Sequence, residues 1–67
     1  MNEVDIRQAA EDLKAYAFAM RKNMPTAINA IEQRWDMWGA APQQVAEFLG
    51  LIAAGATRSE ALEAVYS

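Results

Sequence analysis

The sequence predicts an all-α protein, a small bundle of three to four short helices. Apolar residues recur at intervals of three and four in several stretches, a spacing that places side chains on one face of an α-helix. Both prolines stand where such a stretch begins, and two of the three glycines stand where one ends. We expect helices over about 4–22, 25–38, 42–54 and 58–66, within a single helical domain of residues 1–67.

The second predicted helix is the one around which we expect the others to pack. Its apolar stripe consists of Met24, Ile28, Ile31, Trp35 and Trp38. Both tryptophans of the chain lie on this stripe, and tryptophan buries more area than most side chains. We therefore predict that Ile31 and Trp35 belong to the core.

The first predicted helix carries a seam of residues seven apart: Ile6, Leu13 and Met20. Alanines between them would allow a neighbouring helix to approach closely, as in a coiled coil. Phe18 lies off this seam. It is either an exposed aromatic residue or part of a contact face for another chain.

The third and fourth predicted helices form the C-terminal half. One face of the third contains Val45, Phe48, Leu49 and Ile52. Gly50 interrupts this helix, and we attribute it either to a close helix crossing or to tolerance of a poor helix former. Thr57 and Glu60 have the spacing of a capping box, which predicts the start of the fourth helix.

The composition excludes most catalytic chemistry. The 67 residues contain no cysteine and no histidine, so disulfides and the usual zinc, haem and iron–sulfur ligand sets are ruled out. Glu32 and Asp36, four apart, are interpreted as a solvated surface pair. We expect no enzyme activity, no catalytic residue, no metal, no cofactor and no small-molecule substrate.

The formal charge of −3 is unevenly distributed. Charges cancel in residues 1–34, whereas residues 35–67 contain one arginine and four carboxylates. No apolar run approaches the roughly 20 residues that span a bilayer, and the first residues do not resemble a secretory signal. We therefore expect a cytoplasmic protein without a membrane partner.

Residues 42–66 resemble the opening of a helix-turn-helix, and also the helical part of a ribbon-helix-helix repressor. This resemblance implies the alternative function, a small DNA-binding transcriptional regulator. Phosphate contacts need Lys and Arg, and this segment has only Arg58. We therefore favour a simple helical hairpin and do not expect nucleic acid as the partner.

Residues 17–32, about a quarter of the chain, resemble the theta subunit family of bacterial replicative DNA polymerase. The matching residues are Ala17, Phe18, Arg21, Asn23, Met24, Pro25, Ala30 and Glu32. The resemblance implies a small, helical, non-catalytic protein that binds the proofreading exonuclease subunit.

We therefore expect a protein-interaction module: an accessory subunit, inhibitor or adaptor of bacterial or phage origin that binds a partner protein through an apolar helical face. A chain this small has little core of its own, and 54% of its residues are hydrophobic, so a second copy is also expected, as a homodimer. The predicted partner-binding residues are Tyr16, Phe18, Met20, Met37 and Trp38.

Overall fold

The computed structural model describes residues 4–66, which form four α-helices joined by short turns. The helices are α1 (Ile6–Lys22), α2 (Pro25–Met37), α3 (Pro42–Ala53) and α4 (Arg58–Tyr66). The predicted all-α fold class is confirmed, and the four predicted segments differ from these helices by at most two residues at either end. None of the helices in residues 4–66 is long and apolar enough to cross a membrane.

Helix α1 begins at Ile6, two residues later than predicted, because Asp5 caps it. The Asp5 carboxylate accepts hydrogen bonds from the backbone N–H groups of Arg7 (3.0 Å) and Gln8 (3.2 Å). These donors lack partners inside the helix, and an aspartate N-cap satisfies them. Val4, just before the cap, is fully buried.

The turns between helices have the backbone geometry that their residues favour. Gly39 follows α2 with φ of 73°, and Gly55 follows α3 with φ of 102°, both in the region that glycine adopts without strain. Asn23 ends α1 with φ of 55°, a conformation that asparagine tolerates better than most residues. The glycine stops predicted at residues 39 and 55 are confirmed.

The core lies among all four helices and is centred on Trp35. Trp35, Phe48, Val4 and Val45 are the largest fully buried side chains. Ile31 is 8% exposed, so both predicted core residues of α2 are confirmed. Helix α1 packs against α2 and α3, and α4 packs against α3.

The α1–α2 hairpin extends beyond this core. The core cluster and the residues packed on it reach Tyr16 along α1 and begin at Ile31 on α2. At 1.5 Å per residue, the 17 residues of α1 span about 25 Å and the 12 residues of α3 about 18 Å. We call residues 18–24, where α1 turns into α2, the hairpin end.

The apolar seam of α1 packs against the protein's own core. Ile6 and Leu13 are half-buried against the core cluster, while Met20, at the hairpin end, is 55% exposed. The seam is thus mostly occupied by the chain's own helices.

The predicted capping box of α4 is confirmed. The backbone N–H of Glu60 donates to the Thr57 hydroxyl oxygen (3.2 Å), and the backbone N–H of Thr57 donates to the Glu60 carboxylate (2.9 Å). These backbone and side-chain contacts with Thr57 lower the pKa of Glu60. This helix has only nine residues, so its first turn depends strongly on the cap.

Replacing Trp35 with alanine is expected to lower the free energy of unfolding by about 3–5 kcal/mol, because the change leaves a cavity at the centre of the core. A thermal melt followed by circular dichroism measures the effect. Met37→Ala is the control on the same helix: Met37 is 87% exposed, so its melt should stay near that of the wild type. A cooperative Trp35→Ala melt within a few degrees of wild type would contradict the core assignment.

Removing the α4 cap with Thr57→Ala is expected to cost about 0.5–2 kcal/mol. Glu60→Ala should weaken the same helix, and the double variant should lose less than the sum of the single losses, because the two side chains cap one turn. Urea denaturation of the four chains measures the coupling. Strict additivity would show that the two side chains act independently.

Candidate functional site

A basic patch surrounds an exposed aromatic ring on α1. Phe18 is 48% exposed. Lys14, Arg21 and Lys22 lie four before, three after and four after it, the spacings that make side chains neighbours on a helix surface. The Arg21 guanidinium carbon is 5.8 Å from the centre of the Phe18 ring, within the range of a cation–π contact. We call Lys14, Phe18, Arg21 and Lys22 the basic patch.

The charge of this patch is opposite to that of the rest of the chain. Residues 13–31 contain three cations and no carboxylate, which is a charge of +3. The remaining residues contain three cations and nine carboxylates, which is a charge of −6. Three cations close together form a local field that an acidic partner can meet.

Two methionines are also exposed at the hairpin end. Met20 is 55% exposed and Met24 is 43% exposed. Neither is among the residues packed against the core cluster. Methionine side chains are flexible and polarizable, so they adapt to different partner surfaces.

The other predicted partner-binding residues lie elsewhere. Tyr16 is half-buried: its ring centre is 5.0 Å from that of Trp35, and its hydroxyl donates to the Glu32 carboxylate at 2.9 Å. This hydrogen bond raises the pKa of Tyr16 because it favours the protonated phenol. Trp38 is half-buried against the core, and Met37 is exposed at the far end of α2 from the hairpin end. Phe18, Met20 and Met24 all belong to the hairpin end, where Phe18 and Met20 lie about 200° apart around α1, counting about 100° per residue.

Glu32 and Asp36, the carboxylate pair on α2, lie in different environments. One oxygen of Glu32 accepts the Tyr16 hydrogen bond, while Asp36 is exposed one turn later. Within residues 4–66, no group of three or more acidic side chains is arranged to hold a metal ion.

An ion pair between α1 and α2, with a buried carboxylate and a partly exposed guanidinium, was not predicted from the sequence. Asp12 is 4% exposed, and its carboxylate accepts hydrogen bonds from Arg34 (2.6 Å) and Gln8 (2.9 Å). The available signal was that Asp12 stands three residues after Ala9 on the apolar side of α1. A carboxylate on such a face needs a partner, and this pair fixes α1 against α2.

The outer surface of α3 and α4 carries an open groove of about 390 Å³. It is lined by Glu47, Gly50, Leu51, Ala64 and Val65. We call it the α3–α4 groove. A Cβ atom added to Gly50 would meet nothing within 4 Å. The close helix crossing considered for Gly50 is therefore wrong, since no neighbouring helix approaches that point.

The α3–α4 hairpin has the two-helix form that the DNA-binding alternative requires. Its second helix, however, contains Arg58 against Glu60 and Glu63. Phosphate groups would meet two carboxylates and one cation there. No contact in this hairpin favours the alternative over a simple pair of packed helices.

The chain is thus a small all-α protein with a basic, apolar hairpin end. No family model, no curated protein and no solved structure matches it. The resemblance of residues 17–32 to the theta subunit family therefore stays a prediction.

Gly50→Ala is expected to stabilise the protein by about 0.5–1 kcal/mol, because alanine loses less conformational entropy in a helix and the new methyl group meets no neighbour. Urea denaturation measures this. Gly55→Ala is the contrasting variant: φ at Gly55 is 102°, so alanine should be strained there and the variant should be less stable. A destabilised Gly50→Ala protein would reveal a contact at this position.

Proposed function

We propose that this chain is a non-catalytic protein-binding module, an accessory subunit, inhibitor or adaptor, that binds a partner protein through the hairpin end. The observation that carries this proposal is the exposure of Phe18 among the three cations of the basic patch, with Met20 and Met24 close by in the chain.

The energetics support an interface here. Phe18 lies about 180° around α1 from the buried Ala9, counting about 100° per residue, so folding alone does not cover it. At about 25 cal/mol per Å², a partner that covers the ring and reaches around the hairpin end to the two methionines gains a favourable term that the monomer leaves unused. Arginine and large apolar residues are the side chains that most often dominate binding energy at interfaces.

The same surface indicates which charge and polarity the partner's surface should have. Three cations without a carboxylate favour an acidic surface, and Phe18 favours an apolar depression within it. Long-range attraction would speed the encounter, and burial of the ring would slow dissociation. The partner is therefore expected to present an apolar pocket rimmed by carboxylates.

Affinity capture from the producing cells, with immobilised protein, tests the proposal. The double variant Phe18→Gln/Met20→Gln is expected to lose the captured protein, with an affinity at least about 30-fold weaker, corresponding to the roughly 2 kcal/mol of a hot spot. The control is Met37→Gln, which changes an equally apolar and more exposed side chain at the far end of α2 and should capture as well as wild type. Equal capture by all three chains would contradict binding through the hairpin end.

A DNA titration tests the alternative function, a small DNA-binding regulator. A DNA-binding protein shows affinity that falls steeply as salt rises, because phosphate contacts release counterions. We expect the protein not to bind duplex DNA at any salt concentration. Binding that depends on Arg58 would replace the proposal with the regulator alternative.

A further inference from the structure

We propose that the basic patch of one chain docks in the α3–α4 groove of a second copy, giving a reciprocal dimer. This inference rests on the proposed function, because it assigns an occupant to the same hairpin end. The surface involved differs from the α1 seam, which the monomer's own core occupies.

The apolar parts of the two surfaces are complementary. The groove is walled by Leu51 and Val65, both half-buried. At its floor Gly50 has no side chain, and the space that a Cβ would enter is empty to 4 Å. An aromatic ring approaching from outside can therefore reach the backbone of α3. Phe18 is the exposed aromatic ring that stands clear of its own core on α1.

The charges are complementary as well. Glu47 lines the groove and is exposed. Within residues 4–66 the one ion pair joins Arg34 to Asp12, so the cations of the basic patch and Glu47 have no ionic partner there. A second copy brings each group a charge of the opposite sign.

A second copy carries both a basic and an acidic region, whereas a polyanion carries negative charge alone. Duplex DNA or an anionic membrane would attract the +3 of residues 13–31 but repel the −6 carried by the remainder. A two-fold axis places the patch of each copy in the groove of the other. No patch then remains free to add a third chain.

Sedimentation equilibrium over about a hundredfold range of concentration tests the dimer. The apparent mass should rise from the 7.4 kDa of one chain towards twice that value. It should rise less at high salt, because exposed charges are then screened. A constant mass of 7.4 kDa at every concentration would overturn the inference.

Charge reversal tests the pairing directly. Glu47→Lys leaves a chain with a basic patch and a basic groove, while Arg21→Glu/Lys22→Glu leaves an acidic hairpin end and an acidic groove. Each variant alone should be monomeric, with association at least about tenfold weaker than wild type. Mixed in equal amounts, they should form a 1:1 dimer, because both contacts are then complementary. A mixture that stays monomeric while the wild type dimerises would overturn the pairing.

Filling the groove separates docking from folding. Gly50→Gln should keep or raise thermal stability, since glutamine is a better helix former than glycine, yet it should abolish the dimer. Ala53→Gln, an exposed change on α3 outside the groove lining, is the control and should dimerise as wild type. Unchanged dimerisation of Gly50→Gln would overturn the groove as the docking site.

The two proposals fail differently. A chain that stays monomeric but captures a foreign protein through Phe18 keeps the proposed function and loses the second copy as occupant. Binding to phosphatidylserine vesicles without self-association would likewise remove the second copy. A chain that neither self-associates nor captures a protein would end both.

Discussion

Burial of the Trp35 side chain is the constraint on which the other helices depend. Its ring is fully buried, with Tyr16 of α1 at a centre-to-centre distance of 5.0 Å and with Val45 and Phe48 of α3 in the same core cluster. One large residue of a 13-residue helix thus determines where two other helices pack. In a chain of 67 residues a single core of this kind supplies most of the stability, and the loss of one large side chain removes much of it.

The polar contacts between α1 and α2 complement that burial. Arg34 donates a hydrogen bond to Asp12 and Tyr16 donates one to Glu32, so two hydrogen bonds cross the same helix pair. Such contacts add modest net stability, but their geometry is directional in a way that apolar packing is not. They favour one rotation of α1 against α2. That rotation places Phe18 and its neighbouring cations outward, so the surface proposed for binding follows from the packing of the interior.

The lengths of the helices explain why apolar surface remains at the hairpin end. Helix α1 is longer than α3, and α4 has only nine residues. The three cations that surround Phe18 keep this end hydrated while leaving its ring exposed. The groove between α3 and α4 is the second uncovered apolar feature, and it has the opposite charge at its rim. Two complementary surfaces on one small chain are the physical basis for expecting association.

Helix positions, the turns at Gly39 and Gly55 and the cap at Thr57 were predictable because each depends on residues within one or two turns of helix. The core role of Trp35 was predictable because an apolar stripe has one face to bury. The partner of Asp12 was not, since Arg34 lies 22 residues away and the pair forms only once α1 and α2 pack. The open space at Gly50 was not predictable for the same reason. Local spacing determines which face of a helix is apolar, whereas the lengths and crossings of all four helices decide which parts of that face stay exposed.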